Sequence, residues 1–154
     1  MGLSFLSKNL KLTRVQCLKC QKPLYITFLE LILNAENLPL LHHCKGGKDR
    51  TGFATIITLF ALDVSIEEVE KDYMLTKECM EERNKRRMDE YRTYTDNAVV
   101  LEYLSALMQT KKTYFDAAID EMLKLSGSVD KYLEEYLGLT SAKKNKIKTL
   151  FLEN

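Results

Sequence analysis

The chain has 154 residues, a formal net charge of +1 and 29% charged side chains, so no bulk field points to a nucleic-acid partner. A length of this order suits one globular domain that buries roughly two-thirds of the surface its unfolded chain exposes. No window approaches the roughly 18 continuous apolar residues of a membrane span, there is no secretory leader pattern, and Leu6 stands where a myristoylation signal needs Ser or Thr. The expectation is a cytoplasmic protein without stable membrane insertion.

From Met1 to Gln21 the periodicity is weak, and a short strand is expected around Leu12, Thr13 and Val15. Pro23 opens a helix whose Leu24, Phe28, Leu31 and Ile32 fall on one face and which ends between Asn34 and Asn37. Cys17 and Cys20 form a C-x-x-C pair with no second pair and no thioredoxin-like context, so they read as ordinary thiols. With Cys44 and Cys79 they make four cysteines, in keeping with a reducing compartment.

The most informative stretch is Leu38 to Phe60, which reads as strand, tight loop and helix. An apolar run leads into His42, His43 and Cys44. The loop Lys45, Gly46, Gly47, Lys48, Asp49 and Arg50 then precedes Thr51, Gly52 and an apolar helix. A loop of this length can curl so that its N–H groups face one central anion, and a helix beginning at Arg50 or Thr51 adds unpaired N–H groups and its positive dipole end. Lys45, Gly46, Gly47, Lys48, Arg50 and Thr51 are therefore the expected phosphate contacts.

Cys44, at the head of that seat, is expected to ionise easily, and Arg50 offers the two-pronged donor that fits two phosphoryl oxygens. The chemistry suggested is attack by sulfur on a phosphate monoester, giving a phosphocysteine that water hydrolyses. A Walker loop is excluded, because Gly47-Lys48 is followed by Asp49, which has no hydroxyl to place on magnesium.

Beyond the loop, Phe53, Ile56, Ile57 and Phe60 form the buried face of the first helix. After a break at Asp63 and Val64, Ser65 with Glu68 makes a capping box, and Val64 with Val69 a hydrophobic staple, for a helix from Ile66 to Thr76 or beyond. Lys77 to Arg92 is highly charged. Its Arg83, Lys85, Arg86 and Arg87 read either as a solvated helix face or as a basic rim that guides an anion toward Cys44. Further helices carry Val100, Leu101, Leu104, Leu107 and Met108 on one face, then Phe115, Ala118, Ile119 and Met122 behind a Thr113 cap with a stop at Gly127. Ser128 opens one with Val129, Tyr132, Leu133 and Tyr136 that stops at Gly138, and Thr140 caps a last one with Ile147, Leu150 and Phe151.

His43-Cys44-Lys45-Gly46-Gly47-Lys48-Asp49-Arg50-Thr51-Gly52 resembles the HCxxGKDRTG loop of the microbial tyrosine-protein phosphatases, within the cysteine-dependent phosphatase superfamily. Asp72-Tyr73, Tyr114 to Ile119, Gly127 to Leu133 and Leu137 to Thr140 also look like segments of that family, so the resemblance covers about Leu24 to Leu152. It implies an α/β fold and a cysteine-dependent hydrolase, a protein tyrosine phosphatase acting on phosphotyrosine, and in several members on phosphoserine, phosphothreonine or phosphoinositides. Only 43 residues precede Cys44, too few for the family's sheet, so the chain reads as an N-terminally shortened member. The expected fold is α/β of the cysteine-phosphatase type with a reduced sheet and mostly helical content. It forms a single domain over residues 1–154, with the motif loop at 43–52 and a helical part at 53–154.

Tyrosine phosphatases take a general acid from a loop upstream of the cysteine, yet this sequence has no Asp before Asp49. The resemblance implies that Asp49 itself acts as the acid while Lys48 contacts substrate; the other reading is that Asp49 braces the loop. Thr51 either hydrogen-bonds the Cys44 sulfur or caps the helix, and the roles can coexist. His43 is expected to orient the loop and His42 to be incidental. Catalytic residues are thus Cys44, Asp49 and Arg50, with no metal and no cofactor.

Two functions follow. One is a phosphatase acting on a phosphorylated protein or phosphoinositide through a phosphocysteine. The other is a non-catalytic remnant or phospho-binding module that needs a homodimer partner or another chain to cover the incomplete sheet.

Overall fold

The computed structural model describes residues 20–152, and the strand expected around Leu12 to Val15, like Cys17, lies outside them. Every regular element among the described residues is helical. Helix α1 spans Lys22–Ile32, a 3-10 turn spans Ala35–Asn37, α2 spans Arg50–Ala61, α3 spans Ile66–Cys79 and α4 spans Glu81–Tyr94. Then come α5 at Ala98–Met108, α6 at Lys112–Ser126, the short α7 at Val129–Lys131 running into a π turn at Tyr132–Tyr136, and α8 at Ser141–Phe151.

The α/β expectation is overturned, since the described residues contain no strand. Leu38 has extended backbone angles, but no backbone-to-backbone hydrogen bond among the described residues involves Pro39 to His43. An apolar run becomes a strand only when a neighbour takes up its N–H and C=O groups, and Pro39 has no N–H to give.

Helix α2 is the hub. Phe53, Ala54, Ile56, Ile57, Phe60 and Ala61 are all buried along it. Around it pack Tyr25, Leu29 and Ile32 of α1, Val69 and Tyr73 of α3, Phe115, Ile119 and Met122 of α6, Tyr132 and Leu133 of the π turn, and Ile147 of α8. Tyr25 meets Phe53 edge-on at 4.8 Å between ring centres, and Tyr73 lies 5.8 Å from Phe115.

The helix boundaries follow local chemistry. The Ser65 hydroxyl accepts from the Glu68 N–H at 3.4 Å, Val69 beneath it is fully buried, and the helix runs on to Cys79. Asn97 accepts from the N–H groups of Val99 and Val100, Ser128 from Lys131, and Thr140 from Lys143. Gly127 and Gly138 close their helices at φ 81° and 72°. Thr113, by contrast, lies inside α6, which starts at Lys112 after an N-cap Lys111 that makes no side-chain cap.

Two faces are rotated from expectation. In α1 the buried residues are Tyr25, Leu29 and Ile32, whereas Leu24 and Leu31 are exposed. In α8 Ile147 is buried and Phe151 is exposed. Helices α4 and α5 bury no residue at all and stand off the core, joined to each other by the Asn84 side-chain amide donating to the Met108 carbonyl at 3.2 Å.

Candidate functional site

The segment from Cys44 to Asp49 forms a loop that ends at the first residue of α2, where the Phe53 N–H donates to the Asp49 carbonyl at 2.9 Å. Gly47 has φ 70°, a conformation that a residue with a side chain rarely adopts. That left-handed step turns the chain back on itself, and the N–H groups of Gly46, Gly47 and Thr51 come near enough to the Cys44 sulfur to favour its thiolate.

Burial pushes the Cys44 thiol up, but the Thr51 hydroxyl and the N–H groups of Thr51, Gly46 and Gly47 outweigh it and bring the pKa down to about 7. Thr51 Oγ1 is shut off from water with no well-aligned partner among the described residues, and the sulfur is the acceptor within its influence. The same donors that settle a thiolate would settle an anionic oxygen.

Cys44, Lys45, Gly46, Lys48, Asp49 and Arg50 line one cleft of about 290 Å³. Its other lining comes from the α4–α5 hairpin, Arg83, Arg87 and Tyr91 from α4 and Leu104, Leu107 and Met108 from α5. The charged stretch is therefore divided: Arg83 and Arg87 face the cleft, while Lys85 and Arg86 are exposed outside its lining. Spacing of four residues from Arg83 to Arg87 to Tyr91 placed them on one helical face, but only the hairpin brings that face to the loop.

Asp49 and Lys48 are paired with each other. Both oxygens of Asp49 accept from the ammonium of its neighbour Lys48, at 3.0 and 2.9 Å, and the Lys48 side chain is buried. His43 is exposed, and His42 instead lies with its ring 4.9 Å from that of Phe28, tilted by 52°. Among the described residues no cluster of His, Cys, Asp and Glu could hold a metal ion, and no helix is long and apolar enough to cross a membrane. Cys20 and Cys79 are free, exposed thiols.

The loop and helix end thus bring a thiol with a lowered pKa to a helix N-terminus. A profile of the tyrosine phosphatase family matches residues 7–153, and the chain belongs to that family. It is similar to a Cupriavidus necator protein that bears the name of a tyrosine-protein phosphatase, with 31% identity over 98 residues, 64% of this chain and 35% of that protein.

The described residues overturn the expectation of an active cysteine-dependent hydrolase, a tyrosine phosphatase whose dephosphorylation passes through a phosphocysteine intermediate. That mechanism needs the loop held on the end of a sheet strand. Among the described residues there is no sheet to hold it.

Proposed function

We propose that this chain is a phosphate-monoester-binding module that does not turn the ester over by itself and that works beside a partner chain. What supports it most is the convergence of the Gly46, Gly47 and Thr51 donors on Cys44, a site built for negative charge. In this reading the loop N–H groups from Lys45 to Lys48, with Arg50 and Thr51, hold the phosphoryl oxygens of the ester. Cys44 lines the floor of the seat, and Asp49 keeps Lys48 in place. The unpaired backbone from Pro39 to His43, with Leu41 exposed beside it, is the edge to which a homodimer partner or another chain adds.

Sulfate titrations across pH test the seat, because sulfate keeps its double charge throughout the neutral range. A thiolate formed in the seat repels the anion, and by reciprocity a bound anion favours the neutral thiol. With the Cys44 pKa at about 7, sulfate affinity should fall about tenfold from about pH 6 to about pH 8. Cys44→Ser should remove that slope. A folded wild-type chain that binds no sulfate at any pH would overturn the reading.

A further inference from the structure

The loop end of the cleft does not account for all of its positive charge. Five cations line it: Lys45, Lys48, Arg50, Arg83 and Arg87. Lys48 is matched by Asp49, and Arg87 by Glu90 at 3.1 Å. Lys45 and Arg50 have no acidic partner among the described residues, and together they match one phosphate dianion in the seat. Arg83 remains. Its guanidinium is half-buried and its contact within hydrogen-bonding range is the Met80 sulfur at 4.0 Å, a weak acceptor.

A guanidinium drawn out of water and left against a thioether is incompletely satisfied, and it lies on a different element from the loop while lining the same cleft. Arg87 stands one turn away on that face. Its pair with Glu90 joins two half-exposed side chains three residues apart, a kind of contact that contributes little and exchanges readily for a stronger anion. Leu104, Leu107 and Met108 line the same cleft, apolar residues with no charge to offer a ligand.

We infer that Arg83, supported by Arg87, forms a second anion subsite facing the loop, so that the cleft takes a small ligand carrying two phosphate groups on a short carbon frame. A cleft of about 290 Å³ is at the small end of ligand sites, which favours a compact soluble bisphosphate. One phosphate sits in the loop, the frame lies along Leu104 and Leu107, and the second phosphate meets the Arg83 fork. The inference rests on the phosphate seat proposed above and adds to it the class of ligand.

The test titrates the chain with alkanediol bisphosphates of three to six carbons and with the alkyl monophosphates of equal length. At one frame length the bisphosphate should bind at least about tenfold more tightly than its monophosphate, well beyond the factor of about two expected from having two equivalent ends. Arg83→Ala should cut that ratio to about two, Arg83→Lys should keep part of it, and Arg86→Ala, on the exposed side of the same helix, should keep all of it. Circular dichroism verifies that each variant is helical. Monophosphate binding with no bisphosphate advantage, or an advantage that survives Arg83→Ala, overturns the second subsite and leaves the seat standing. No binding of either ligand to the folded chain overturns both.

Discussion

Arg50→Ala is expected to weaken phenyl phosphate binding about a hundredfold, and Arg50→Lys about tenfold. Arg50 is the first residue of α2, lines the cleft and has no acidic partner among the described residues, so its guanidinium is available to the ligand. A charge-assisted hydrogen bond contributes about 1.5–3 kcal/mol net, and the guanidinium makes two in parallel. Lysine keeps the charge but not the fork, which is why the two substitutions should separate. Isothermal titration reads both. Equal affinities for Arg50→Lys and wild type would mean that the site senses charge alone, and no loss in Arg50→Ala would mean that the ligand is held elsewhere.

The second large effect lies in the core. Ile57 is fully buried at the centre of α2, and Ile57→Ala should destabilise the chain by about 3 kcal/mol through lost burial and the cavity left behind. Against a total stability of about 5–15 kcal/mol for a domain, that is a large share. Because α2 also carries Arg50 and Thr51, sulfate protection against urea should weaken with it. Leu24→Ala is the control: Leu24 is 60% exposed, and its loss should change stability by no more than about 0.5 kcal/mol. An unchanged urea midpoint for Leu24→Ala supports the observed face of α1, and a loss comparable to that of Ile57→Ala would support the one that periodicity suggested.

That misjudged face shows what the sequence could and could not convey. From Leu24 to Leu33 only Thr27 and Glu30 interrupt the apolar residues, so almost any phase of a helix looks buried. Tyr25 won over Leu24 because it has Phe53 to pack against, a contact 28 positions away in the chain that no local pattern contains. In α2 the polar Thr51, Thr55 and Thr58 mark the phase, and Phe53, Ile56, Ile57 and Phe60 are buried as their spacing indicates. Helix ends were equally local: Ser65 with Glu68, Gly127, Ser128, Gly138 and Thr140 each act within a few residues of themselves.

The strand at Leu38 to His42 failed for the opposite reason. A strand is a property of two segments, and a run of four or five apolar residues says nothing about whether the second exists. The site divides along the same line. Ten consecutive residues carry the whole loop, so its donors and Cys44 were legible. Arg83, Arg87 and the apolar residues share the cleft because α4 folds back against α5, where Asn84 meets Met108, 24 residues away. The role of Asp49 stayed open in sequence, because only coordinates reveal that Lys48 takes up both of its oxygens.

The most direct test is to incubate the purified chain with phenyl phosphate and follow binding and free phosphate together, with Cys44→Ser in parallel and vanadate as a competing oxyanion. A phosphate-binding module holds the ester reversibly, releases it intact and is displaced by vanadate. Steady release of inorganic phosphate that disappears in Cys44→Ser would contradict the account and show that the loop completes the reaction without a sheet among the described residues.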